Sequence, residues 1–126
     1  MARVALVGHD SADLQAAFAI LELADGHQAV SFDSGSSSLE DVLAARPDVL
    51  IVDVSNGERD AGSGDDLKLR AMQALATAPA ILYTSDEDRV GQRMAAIREG
   101  PVFILEKPVQ AAELLLTLRH AANSLR

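Results

Sequence analysis

Three side chains that could act together follow hydrophobic segments of the chain: Asp53, Thr84 and Lys107. Each comes at or just after the end of a short run of apolar residues that predicts a buried β-strand. In an open α/β sheet, ligands bind where the carboxyl ends of parallel strands meet. A carboxylate, a hydroxyl and an ammonium group at that edge could accept a phosphoryl group, with Asp53 as nucleophile. An Asp–Lys ion pair that closes the top of the sheet explains the same residues equally well.

The segments that position these residues predict an α/β fold. Its clearest strand, Pro47 to Asp53, has four consecutive apolar residues, and Pro47 ends the helix before it. The other four predicted strands are Arg3–Val7, His27–Phe32, Ala80–Thr84 and Val102–Leu105. Five strands that alternate with five helices indicate a doubly wound five-stranded parallel sheet. Right-handed crossovers favour the strand order 2-1-3-4-5, with His27–Phe32 at an edge.

Helix signals occupy the intervals between the strands. The predicted helices run from Ser11 to Ala24, Ser38 to Arg46, Asp65 to Thr77, Ser85 to Gly100 and Val109 to Ser124. Ser38 and Asp41 have the spacing of a capping box. The apolar face of the first helix is predicted to comprise Leu14, Phe18 and Leu21, widened by Ile20 and Leu23.

Composition restricts the class of protein. A chain of 126 residues with 48% apolar content suits one domain over residues 1–126. The net charge of −8 argues against nucleic-acid polymers and anionic membranes as partners. The absence of cysteine excludes disulfides and thiolate chemistry. Because the sequence enters a strand directly, with no charged leader or long apolar run, we expect a cytoplasmic domain.

Three motifs together resemble the receiver domain of bacterial two-component response regulators. They are Pro-Asp-Val-Leu-Ile-Val-Asp53, Ala-Ile-Leu-Tyr-Thr84, and Leu-Glu-Lys107-Pro108 after Gly100. The resemblance covers the whole chain and implies a flavodoxin-like (CheY-like) fold. It also implies that Asp53 accepts phosphate from a histidine kinase, while Thr84 and Lys107 contact the acyl phosphate. Such a domain is not itself an enzyme, and it stands alone or forms part of a hybrid kinase or regulator.

The end of the first strand departs from the family's pattern. Receivers have two adjacent acidic residues there that hold Mg²⁺, but this chain has Gly8 and His9; Asp10 matches a position outside the usual metal shell. Mg²⁺ prefers oxygen ligands, glycine offers no side-chain ligand, and imidazole suits softer metals. Phosphoryl transfer without the cation loses its main charge stabiliser. We therefore predict a degenerate receiver, or pseudo-receiver, without a metal cofactor.

Three functional hypotheses follow from these observations. The first is a phosphorylation-independent interaction module that binds protein partners, such as a histidine kinase or neighbouring domains. The resemblance implies a binding face made by the fourth helix, fifth strand and fifth helix, where candidate residues are Arg89, Arg93, Ala96, Arg119 and His120. The second is a pocket for a small anionic ligand such as cyclic di-GMP, formed by Tyr83, Arg89, Gln92 and Arg93. The third is a genuine phospho-receiver modified on Asp53.

Overall fold

The computed structural model describes residues 2–8, 12–24, 27–33, 37–54, 74, 78–84, 102–106 and 110–123. The strands are β1 (Ala2–Gly8), β2 (His27–Asp33), β3 (Val49–Val54), β4 (Ala80–Thr84) and β5 (Val102–Glu106). The described helices are α1 (Ala12–Leu23), α2 (Leu39–Ala44) and a C-terminal helix (Ala111–Asn123). Of the predicted helices 65–77 and 85–100, the described residues include only Ala74, which is helical.

The five strands form one parallel sheet in the order β2-β1-β3-β4-β5. The predicted doubly wound architecture and its strand order are therefore confirmed. β2 lies at an edge, as the predicted strand order requires, while β1, β3 and β4 are interior strands. Parallel pairing in register places the carboxyl ends of these strands at one edge of the sheet.

Each face of the sheet has its own hydrophobic core. On one face, alternate residues of the central strands pack with α1 and the C-terminal helix; they include Val4, Leu6, Val49, Ile51, Ile81 and Tyr83. On the other face, Ala5, Val7, Leu50, Val52 and Leu82 pack with Val42 of α2. A strand buried on both faces has no polar alternation, which explains the continuous apolar runs in the sequence.

The buried face of α1 follows helical spacing. Leu14, Ala17 and Leu21 are buried, as residues three or four positions apart on one helix face should be. The prediction that Leu23 widens this face is wrong, because its side chain is 86% exposed. Leu23 comes two residues after Leu21 and therefore lies about 200° away around the helix axis.

The predicted capping box at the start of α2 is confirmed. The Asp41 N–H donates to Ser38 Oγ at 3.2 Å, and the Ser38 N–H donates to Asp41 Oδ2 at 3.0 Å. α2 ends at Ala44 rather than at Arg46, because Arg46 has a φ of +49°. Pro47 restricts the residue before it and stops the helix at this point. No helix among the described residues has the length and hydrophobicity needed to cross a membrane.

Candidate functional site

The carboxyl edge of the sheet brings predicted site residues together. The β1–β3 register places Gly8 beside Asp53, the residue before the last of β3. The β3–β4 register pairs Asp53 with Tyr83, one residue before Thr84. Gly8, Asp53 and Thr84 therefore lie on three adjacent strands at one end of the sheet, as the sequence predicted.

The other predicted site residues can be located only by their position along the chain. Thr84 pairs with Glu106, the last residue of β5, and Lys107 is the next residue along the chain. Seven predicted residues lie outside the described part of the structure: His9, Asp10, Arg89, Gln92, Arg93, Ala96 and Lys107. The roles expected of these seven stay predictions.

Asp53 is buried at this edge. Its exposed fraction is 2%. Among the described residues of the core, Asp53 is the one with a charged side chain. Moving a carboxylate out of water is unfavourable by several kcal/mol unless hydrogen bonds or opposite charges compensate. A carboxylate that acts as a nucleophile must also be accessible to the phosphoryl donor. In this structure the Asp53 side chain is therefore held in the protein rather than presented to solvent.

Gly8 is in direct contact with Asp53. A Cβ atom built at position 8 would lie 2.6 Å from Asp53 Cβ and 3.5 Å from both Cγ and Oδ2. Neighbouring strands are normally about 4.8 Å apart, and Cβ atoms on the same face are separated by a similar distance. Glycine in a strand often marks such a close approach. Position 8 consequently has no space for a side chain unless the backbone or Asp53 moves.

The described residues of this edge do not fit the magnesium site that the receiver resemblance implies. Mg²⁺ requires several oxygen ligands in a nearly octahedral arrangement. Gly8 supplies no side-chain oxygen, and Asp53 occupies the space that a ligand on residue 8 would need. Within the described ranges, no group of three or more His, Asp or Glu side chains could hold a metal ion.

Tyr83 does not provide the exposed ring that the cyclic di-GMP hypothesis requires. Its side chain is fully buried in the core beneath α1 and the C-terminal helix. The ring could stack on a ligand only if this core opened, and ligand binding at Tyr83 stays a prediction. The sequence could not assign the ring to a face, because β4 is apolar on both faces.

A groove that the sequence did not predict lies near the opposite, amino-terminal ends of β1 and β2. It has a volume of about 280 Å³ and lies beside the segment that follows α2. Its lining residues include Arg3, Gln28, Val30, Ala45 and Pro47. Val30 is 46% exposed, so the sheet is incompletely covered on this side of the edge strand.

Comparison with known proteins gives matches only among solved structures, since no protein-family model and no curated protein matches the chain. The chemotaxis protein CheY4 of Vibrio cholerae superposes with a TM-score of 0.75 at 25% identity, covering 96% of this chain and 98% of CheY4. The response-regulator domain of Thermotoga maritima CheB gives 0.69 at 21% identity, with 98% of both chains covered.

A third match is the receiver domain of the Pseudomonas aeruginosa sensor histidine kinase PA1611, solved with a magnesium ion in its active-site cleft. It superposes with a TM-score of 0.70 at 19% identity and covers 97% of this chain and 98% of that domain. These matches extend over nearly the full length of both partners. The chain therefore has the fold of response-regulator receiver domains.

Proposed function

We propose that this chain is a regulatory domain of two-component-type signalling, a degenerate receiver that acts without magnesium-dependent phosphorylation of Asp53. The observation that carries the proposal is the contact between Gly8 and Asp53, in which the Cβ position of residue 8 lies 2.6 Å from Asp53 Cβ. The receiver fold supports the signalling class, and this contact supports the loss of the metal-dependent reaction.

The chemistry of phosphoryl transfer supports this reading. A metal ion beside the acceptor neutralises the charge that develops on the transferred group and orients the reacting oxygens. At position 8 this chain has neither a side-chain oxygen ligand nor the space for one. Asp53 is only 2% exposed, so its carboxylate is also poorly placed to attack a donor. A phosphoacceptor needs a bound metal ion and an accessible carboxylate, and this site is poorly suited to both.

The described residues offer surface for protein partners on the face that the receiver resemblance implies. Ile104 of β5 is 36% exposed, and Arg119 and His120 are exposed on the C-terminal helix. Arginine is enriched in protein interfaces relative to the rest of a protein surface. We propose that this face binds a histidine kinase or a neighbouring domain, and that binding does not depend on phosphate at Asp53.

The decisive experiment is a two-dimensional NMR titration of the intact chain with MgCl₂ and then beryllofluoride, with Asp53→Asn as the control. We expect the wild-type and Asp53→Asn spectra to respond alike, with no beryllofluoride-dependent change at Thr84 or Lys107. Changes at these residues that require both Mg²⁺ and Asp53 would instead establish a genuine phospho-receiver. Incubation with acetyl phosphate followed by intact-mass measurement gives an independent readout of the same outcome.

The same samples test the cyclic di-GMP hypothesis. Because Tyr83 is buried, we expect no chemical-shift change when cyclic di-GMP is added at low ionic strength. Saturable shifts that are lost in Arg89→Ala would show that this ligand binds despite the burial of the ring. Calorimetry under the same conditions should give only the heat of dilution.

A further inference from the structure

We infer that Gly8 is a positioning residue for Asp53, and that its contact with Asp53 prevents a single substitution from turning this edge into a cation site. The inference rests on the proposed function, because it gives a structural reason why the metal-dependent reaction is absent. It also explains more than the absence of a ligand at position 8. A site that lacks one ligand could be completed by adding it, whereas here the space for that ligand is filled.

Side-chain alternation places residues 8 and 53 on the same face of the sheet. Leu6 and Ile51, each two residues earlier in its strand, both belong to the core beneath α1 and the C-terminal helix. Since alternate residues of a strand share a face, the Cβ vector of residue 8 points to the side on which Asp53 lies. Register and alternation therefore place Gly8 and Asp53 side by side on one face of the sheet, and the close approach of the two strands there brings them into contact.

The contact involves most of the Asp53 side chain. The Cβ position of residue 8 is 2.6 Å from Asp53 Cβ, which is closer than real Cβ atoms approach one another, and 3.5 Å from Cγ and Oδ2. An aspartate at position 8 would meet this steric conflict at its first side-chain atom. It would then place a second carboxylate beside a buried one, where two like charges disfavour each other's ionised form.

The surrounding sheet leaves little freedom to relieve the conflict. β1 and β3 are joined in register up to Val7 and Val52, and both of these residues are buried in the core beneath α2. Separating the strands at residue 8 would disturb a close-packed interior, which resists added volume. Moving Asp53 instead would change the group that the site is built around.

A double-mutant cycle on the full chain tests the contact directly. The variants are Gly8→Ala, Asp53→Gly and the double variant, with Asp53→Asn as a background that keeps the size and shape of the Asp53 side chain but removes its charge. We expect Gly8→Ala to reduce the folding equilibrium constant at least about tenfold in the wild-type and Asp53→Asn backgrounds. In the Asp53→Gly background the reduction should be less than about twofold. Equal reductions in all three backgrounds would refute the contact as the cause.

A spectroscopic readout separates positioning from general stability. With Asp-selective ¹³C labelling, Gly8→Ala should shift the carboxyl resonance of Asp53 and leave in place that of Asp48, which directly precedes β3. If neither resonance moves, or both move equally, Gly8 does not position Asp53.

The cation part of the inference is tested with Gly8→Asp and MgCl₂. We expect its thermal midpoint to be independent of Mg²⁺, or the variant to unfold and be rescued by Asp53→Gly. Stabilisation of Gly8→Asp by millimolar Mg²⁺ would overturn the inference; if this variant folds in neither background, the Gly8→Ala cycle decides. Beryllofluoride binding by the wild type would contradict the proposed function, yet a coupled Gly8→Ala cycle would still establish the positioning role.

Discussion

The two ends of the β1–β3 pair are joined in different ways. At the amino end, the Arg3 N–H donates to Asp48 Oδ2 at 2.9 Å, and the Asp48 N–H donates to the Arg3 carbonyl oxygen at 2.8 Å. At the carboxyl end, Gly8 and Asp53 are in direct contact, with no room for a Cβ atom between them. The first junction consists of exposed hydrogen bonds, whereas the second depends on the absence of a side chain.

This difference indicates where the sheet tolerates change. The amino end borders a groove of about 280 Å³, and water can replace a lost polar contact there. The carboxyl end contains a buried carboxylate against a glycine, so an added methyl group has no free volume to enter. We expect the same substitution to change the free energy of unfolding by different amounts at the two ends of β1.

The largest expected effect comes from introducing valine at each end of β1. Gly8→Val should lower the free energy of unfolding by about 3 kcal/mol, because it overpacks a closed contact. Arg3→Val should change it by less than about 0.5 kcal/mol, since Arg3 is exposed and its backbone hydrogen bonds remain. Urea unfolding followed by circular dichroism measures both values. Similar losses for the two variants would remove the contrast between the ends.

A smaller effect is expected when the amino-end hydrogen bond is removed. Asp48→Ala takes away the acceptor of the Arg3 N–H and should lower the free energy of unfolding by about 1 kcal/mol. Asp48→Asn has a side chain of the same length with an acceptor oxygen. It serves as the control and should retain most of the stability. If both variants lose the same amount, the charge of Asp48 matters rather than the hydrogen bond.

The smallest effect is a gain of stability at Arg46. This residue has a φ of +49°, a conformation that costs a side-chain-bearing residue about 1–2 kcal/mol. Glycine adopts it without strain but loses more backbone entropy on folding, so Arg46→Gly should stabilise by about 0.5–1 kcal/mol net. Arg46→Ala, which keeps the strain, should leave the unfolding midpoint almost unchanged. Glycine would then be favoured at 46 by backbone conformation, as it is required at 8 by contact.

Local and periodic signals were sufficient to predict most of the fold. The apolar run before Asp53 identified the central strand, and the spacing of Ser38 and Asp41 identified a capping box whose hydrogen bonds are present. Strand–helix alternation and the rule of right-handed crossovers gave the observed strand order. The sequence also placed Asp53 and Thr84 at the same edge, because both end strands of a parallel sheet.

Features that depend on three-dimensional distance could not be predicted in this way. The sequence showed that Gly8 supplies no side-chain ligand, but the 2.6 Å approach to Asp53 Cβ depends on the separation of the two strand backbones. Which of the two cores contains the Tyr83 ring is not encoded, because β4 is apolar on both faces. Leu23 is a different case, because helical phase, which the sequence does encode, directs it to solvent; its inward assignment rested on residue type alone.

The position of Tyr83 gives the chain an intrinsic optical reporter. It is the only tyrosine, and the sequence has no tryptophan whose emission would mask it. The ring is fully buried and its residue is paired with Asp53 in the sheet register. The tyrosine absorption and fluorescence of the chain therefore arise from a single ring beside the candidate site. Repacking between β3 and β4 at this edge can be followed in unlabelled protein by optical spectroscopy.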